Sequence, residues 1–233
     1  MNTKEAKELM LKYLIPQIER YGFKPPGKGS EFEIKRKVKS GEDVIVGGFT
    51  DYNPIQKIIF SFSKRHKSII DILKVLEVKG VKLSPPISKH TGTIGSSYRL
   101  LHDLNTSEYL PEMQTEADVE KCVNLMLEFL EGTAFPLLDK FEDLREIDKI
   151  INGNEPWITD VGQSYTFGAY FNFSRLIIAK LCGNPRYDAL IELTYSKLER
   201  ISAESGNSFH GRDDLSKPIP ALIKILKDVE PIY

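Results

Sequence analysis

Only two cysteines occur in the 233 residues, Cys122 and Cys182. That is too few for a disulfide framework or a cysteine-based zinc site. Each sits among apolar residues in a stretch that reads as helix, where a thiol serves as a small core side chain. No run approaches the ~18 apolar residues of a membrane span. The charged opening from Met1 to Glu8 lacks the apolar core of a secretory signal, so the cytoplasm is the expected compartment. A strong charge of either sign is also missing: 32 Lys/Arg stand against 33 Asp/Glu, a net of −1. With 41% hydrophobic and 28% charged residues the composition is that of a folded protein, which argues against disorder. A chain of this length buries ~70–75% of its unfolded surface without help from a disulfide or metal, as one large domain or two small ones.

Complete catalytic motifs are missing too. Gly22-Phe-Lys-Pro-Pro-Gly27-Lys28 approaches a phosphate-binding loop, but Gly29 stands where the magnesium-ligating hydroxyl belongs. The segment also follows a helix and precedes a strand, the reverse of the required order. Ser61-x-x-Lys64 lies on a strand, where residues three apart point to opposite faces. No His-x-x-x-His pair is present. Glu142, Asp143, Glu146 and Asp148 could gather a divalent ion, yet their helical spacing beside Arg145 and Lys149 makes a solvated helix face the better reading. No catalytic set, metal site or cofactor is read from the sequence, and the oligomeric state stays open.

What is present is a grammar of helices and strands. Met10, Leu14, Ile18 and Tyr21 recur at helical spacing over 3–21, with a kink expected at Pro16 and a left-handed cap at Gly22. From Ser30 the period becomes two. Phe32, Ile34 and Val38 mark a first strand, 44–52 a second, and Ile58, Phe60 and Phe62 a third over 55–64, joined by short turns into an antiparallel meander. Ser68 is placed to cap a helix ended by Gly80. Residues 81–113 show no period apart from a candidate strand at 98–101. The remainder reads helical. Thr115 and Asp118 approximate a capping box, Gly132 and Pro136 interrupt that helix, and a shorter one ends at Asn152-Gly153. An aromatic-rich helix follows over 164–182, Gly183-Asn184-Pro185 turns the chain into a helix over 186–203, and a last helix holds Leu222, Ile225, Leu226 and Val229. The pattern predicts an α+β fold, an N-terminal helix and a three- to four-stranded antiparallel meander packed with a C-terminal helical bundle. The expected organisation is a helix-plus-sheet part at 1–113 and a helical lobe at 114–233, forming one composite domain.

The charges follow that boundary. Residues 1–113 hold 19 Lys/Arg against 13 Asp/Glu, and residues 114–233 hold 13 against 20. Such a reversal marks either a basic binding face or two parts that attract each other. Lys35, Arg36, Lys37 and Lys39, with Lys64, Arg65 and Lys67, form a candidate basic patch near strand aromatics, a combination seen in sheets that bind single-stranded nucleic acid. Against it, the aromatics alternate with the charges and so face the core, and the pI of about 6.5 is far from basic. His90, Thr91, Ser96, Ser97, Tyr98 and His102 form a candidate ligand loop of hydroxyls and two imidazoles, against which stands an ordinary surface connection. Trp157, Tyr165 and Tyr170 form a candidate aromatic recognition surface, or more commonly core.

The helix ending Tyr21-Gly22-Phe23-Lys24, then Phe32-x-Ile34 and the meander, together with the hairpin Leu181-Cys-Gly-Asn-Pro-Arg-Tyr187, resembles bacterial families of unknown function that pair a small sheet with a helical tail. The likeness covers about the first third of the chain plus that hairpin. Some such proteins are thought to act as immunity or interaction proteins, and the resemblance implies no functional residue. The leading expectation is a non-enzymatic, immunity-like module that binds a protein partner and no membrane. The alternatives are a small-ligand binder or enzyme using the 90–102 loop, and a single-stranded nucleic-acid binder using the basic half.

Overall fold

A computed structural model of the chain describes residues 1–27, 32–52, 54–81, 87, 92–101, 111–153, 171–204 and 218–233, with backbone alone at 171 and 198–204. They fall into two discontinuous units, Met1–Arg65 with Ile94–Glu142, and His66–Thr93 with Asp143–Tyr233. Residues 114–142, grouped by sequence with the helical half, thus belong to the unit that holds the sheet. The α+β class stands. Among the described residues no helix is long and apolar enough to cross a membrane.

In the first unit, α1 (Thr3–Ile18) starts at a full capping box: Asn2 Oδ1 accepts from the Glu5 amide and Glu5 Oε2 accepts from the Asn2 amide, each at 2.9 Å. Its buried stripe is Ala6, Met10, Leu14 and Ile18. The helix runs through the exposed Pro16 and tightens into a 3-10 turn that ends at Gly22, whose φ of 83° is the left-handed cap expected there.

The sheet has the order β1 (Phe32–Val38), β2 (Gly41–Asp51), β3 (Gln56–His66) and β4 (Ile94–Ser97). β1 pairs antiparallel to β2 with Ile34 opposite Ile45 and Phe32 opposite Gly47. A Cβ on Gly47 would stand 2.6 Å from the Phe32 ring, so the glycine is what lets that ring lie over β2. Tyr52 donates its amide to the Ile55 carbonyl at 2.8 Å, and the contacts Gln56–Asp51, Lys64–Asp43 and Arg65–Glu42 fall in the same antiparallel register. Alternation then sends Phe32 and Ile34, Ile45, Ile58, Phe60 and Phe62 to one buried face.

That face is covered in part by α4 (Glu116–Phe129), whose Phe129 ring lies 5.4 Å from Phe60 and 6.0 Å from Phe62. Thr115 and Asp118 complete the capping box, an Asp replacing the usual Glu. The break expected at Gly132 and Pro136 is instead one turn of π-helix, 130–134, that leads directly into α5 (Phe135–Lys140). The physical reason is the proline ring, which in an unbroken α-helix clashes with the carbonyl four residues back, here Gly132. Widening to a Phe135 amide to Leu130 carbonyl bond shifts that register and preserves the helix.

The candidate strand at 98–101 is corrected to a helical turn, α3 (Tyr98–Leu101), with the strand lying just before it at 94–97. Ser97 Oγ accepts from the Leu100 amide at 3.2 Å, which turns the chain out of the ladder.

In the second unit, α2 (Lys67–Val78) has His66 at its N-cap position, not Ser68, whose hydroxyl lies 2.9 Å from His66 Nδ1. The other helices are α6 (Leu144–Asn152), α7 (Phe171–Leu181), α8 (Tyr187–Glu204) and α9 (Pro218–Leu226). From Phe173 to Ala179 every residue of α7 is buried, so this helix is surrounded, and α2, α6, α8 and α9 all touch it. Gly183 (φ 61°) and Asn184, whose Oδ1 accepts from the Arg186 amide at 2.9 Å, make the expected turn into α8.

In the sheet, Gly95 lies against Ser63, and a Cβ there would meet the Phe62 carbonyl oxygen at 2.2 Å and Ser63 Cα at 2.7 Å, both backbone. Gly95→Ala is expected to cost ~1–3 kcal/mol, read as a lower urea midpoint at unchanged slope.

Candidate functional site

The apolar columns of the inner sheet face end in charge. Arg36 follows Phe32 and Ile34 on β1, Asp43 precedes Ile45 and Gly47 on β2, and Lys64 follows Ile58, Phe60 and Phe62 on β3. Register sets Arg36 opposite Asp43. Arg36 Nε donates to Asp43 Oδ2 at 2.7 Å, and Lys64 Nζ stands 2.6 Å from Asp43 Oδ1 in an ion contact without hydrogen-bond alignment. From above, the end of α5 closes the row. Glu142 Oε2 accepts from Lys64 Nζ at 2.9 Å and from Ser40 Oγ at 2.7 Å, while its Oε1 accepts from the Ser40 amide at 2.7 Å. Asp139 accepts from Arg36, whose guanidinium also lies over the Phe23 ring at 5.1 Å. Lys64 and Asp43 are both 0% exposed, and Arg36 is 11% exposed.

Burial acts on each carboxylate first. It lifts Asp43 above its ordinary value against the pull of Lys64 and Arg36. Burial also pushes Glu142 up, but Lys64 and Ser40 outweigh it and hold that carboxyl at about 2. The arrangement neutralises charge and holds 139–142 on the sheet.

Two members of the candidate basic patch, Arg36 and Lys64, are thus interior groups, and this corrects the expectation that they face solvent. The signal was present in the strands: alternation through Ile58, Phe60 and Phe62 continues to Lys64, and through Phe32 and Ile34 to Arg36. Lys35 pairs with Glu33 at 3.0 Å, and Arg65 approaches Glu42 at 3.9 Å. Lys37 and Lys39 are exposed, and Lys67 is exposed at the start of α2 in the second unit. The four carboxylates read as one helix face also separate. Glu142 serves the buried row, Asp143 caps α6 through the Arg145 amide at 2.9 Å, Glu146 pairs with Lys149 at 2.5 Å, and Asp148 binds Asn152 and Asn184. The Glu146–Lys149 pair and the Asp143–Arg145 pair, at 2.6 Å, answer to a solvated face. Among the described residues no group of three or more His, Cys, Asp or Glu could hold a metal ion.

Of the candidate ligand loop, Ser96 is buried on β4 opposite Phe62, and Ser97 caps α3. The Tyr98 ring packs 5.5 Å from Phe60 and 5.1 Å from Phe129. His90, Thr91 and His102 lie outside the described residues, as do Trp157, Tyr165 and Tyr170. The Cys122 thiol is fully buried and pushed up to about 12 by that burial, which makes it inert at neutral pH.

A second buried network belongs to the other unit. Arg175 on α7 donates from Nε to Asn152 Oδ1 at 2.6 Å, and Asn152 and Asn184 donate to the two oxygens of Asp148 at 2.6 and 2.7 Å. Burial, then the neighbouring Arg186, bring Arg175 down to about 9 against the pull of Asp148. These bonds join α6 and α7 to the turn before α8.

The sequence left open whether the charge reversal is internal. Within the first unit, ion pairs join the basic opening segment to the acidic 94–142 segment: Lys12–Glu116 at 3.0 Å, Arg20–Glu131 at 2.6 Å, Lys57–Glu112 at 3.0 Å, and the Arg36 and Lys64 pairs above. Counted by unit the reversal vanishes, with 16 Lys/Arg against 18 Asp/Glu in the first and 16 against 15 in the second. Comparison with protein-family models, curated proteins and solved structures finds no match to the chain.

Removing the ammonium in Lys64→Met strands Asp43 and is expected to cost ~3–5 kcal/mol by urea denaturation, part of which Lys64→Met with Asp43→Asn recovers. In acid the two carboxylates act with opposite signs. Stability from Glu142 is present above its ordinary value of 4.5 and is lost as pH falls toward about 2, whereas protonation of Asp43 above 3.8 favours the fold. Glu142→Gln is therefore expected to flatten the loss of stability below pH 4.5, followed as urea midpoint against pH.

Proposed function

We propose that the protein is a non-enzymatic interaction module that binds a protein partner through the outer face of the β2–β3 hairpin. The observation that carries this reading is one exposed aromatic and one exposed aliphatic residue on the hairpin: Tyr52 is 58% exposed and Ile59 39%. Both stand on the face opposite the core, where exposed Gly48 and half-buried Val46, Thr50 and Ser61 leave a shallow floor. Lys57 lies 5.6 Å above the Tyr52 ring and is neutralised by Glu112 at 3.0 Å, so the patch offers apolar contact with little net charge. An exposed aromatic ring and an exposed aliphatic side chain about four residues apart along one sheet face fit an apolar patch of a folded partner at little cost in ordering.

A photo-crosslinker placed at 52 or 59 is expected to capture one partner of constant mass, with no such adduct from the exposed position 8 of α1. Ile59→Glu, with its melting temperature unchanged, is expected to weaken that complex roughly tenfold or more. Equal labelling from all three positions, or an unaltered complex with the Ile59 variant, would remove this face from consideration.

A further inference from the structure

The chain leaves or re-enters the first unit at three places: after Arg65, before Ile94 and after Glu142. Within that unit all three meet at one residue. Lys64 directly precedes the first exit, pairs along the β-ladder with Ile94 at the second, and holds Glu142 at the third by an ammonium–carboxylate contact of 2.9 Å. Asp43 supports the ammonium from below, and Ser40 grips the same Glu142 with both its amide and its hydroxyl.

We propose that Lys64, Asp43, Glu142 and Ser40 form a clasp that fixes the three chain exits of this unit to the sheet, and that opening it at Glu142 releases the 139–142 turn while the rest of the unit stays folded. Three features separate it from an ordinary stabilising pair. First, the exits at Arg65 and Ile94 are already joined by the ladder, whereas 139–142 is held to the β1–β2 turn and β3 by side-chain bonds from Glu142, with Asp139 on Arg36 as the second attachment. Second, Phe141 between those two attachments is fully buried, so opening the turn would bring that ring into water. Third, the cation of the pairing is enclosed, Lys64 being 0% exposed, whereas Lys12 and Arg20 of the surface pairs are 62% and 60% exposed. The groups facing Glu142 are Lys64 from β3, Asp43 from β2 and Ser40 from the turn, with Arg36 and Asp139 completing the row. The device is independent of the partner surface, since Tyr52 and Ile59 lie on the opposite sheet face.

Hydrogen exchange on the intact chain, followed by mass spectrometry, tests it. Glu142→Gln is expected to speed exchange in peptides covering 40–43 and 139–142 roughly tenfold or more beyond any rise in α1 and the 45–49 part of β2. Glu131→Gln, which breaks the surface pair with Arg20, is expected to leave both regions at wild-type rates. Ser40→Ala removes one of the Ser40 bonds and should give an intermediate effect confined to the same peptides. A rise of equal size across the unit would leave Glu142 no local role, and unchanged rates at 40–43 and 139–142 would show that it holds nothing; either result overturns the clasp.

Discussion

The fully buried contact between Lys64 and Asp43 is the constraint around which the first unit is arranged. An ammonium and a carboxylate taken out of water lose several kcal/mol of hydration each, and mutual attraction offsets this only with good geometry and further polar partners. The fold supplies them by convergence. Arg36 comes from the neighbouring strand, while Glu142 and Asp139 come from the end of α5, 102 residues from Ser40 and 103 from Arg36 respectively. Three strands must therefore be in register and α5 must be seated before all of these charges are satisfied.

The same demand explains the placement of the 94–142 segment. Its acids meet the bases of the opening segment at the surface through Lys12, Arg20 and Lys57, and in the interior through Arg36 and Lys64. Exposed pairs contribute little apiece. Their common direction nonetheless favours this segment lying against the basic strands, and the aromatic contacts of Phe60, Phe62 and Phe129 bury apolar area between the same two segments. The π-turn at 130–134 belongs to this seating, since it carries the helix past Pro136 and delivers Asp139, Phe141 and Glu142 to the sheet.

Much of this was legible from local pattern. Capping at Asn184, the Gly22 and Gly183 turns and the three alternating strands follow from short-range sterics and period, and all are found. Lys64 and Arg36 were readable in part, because the period that buried Phe62 and Ile34 ran on through them. A preference for placing charge at the surface obscured it. Glu142 was not readable. Its neighbours Asp143, Glu146 and Asp148 share its chemistry and spacing, and only the approach of Lys64 and Ser40 distinguishes it.

The sequence by itself determined the α+β class, the helix caps and the strand period, because each depends on residues within a few positions of one another. The tertiary structure alone decided that the charge reversal near residue 113 is met inside one unit, that α2 lies with the C-terminal helices, and that a lysine and an aspartate are enclosed together. The reason is physical: Coulombic pairing and burial depend on distance in space, and chain order constrains that distance only weakly once the separation exceeds a single element.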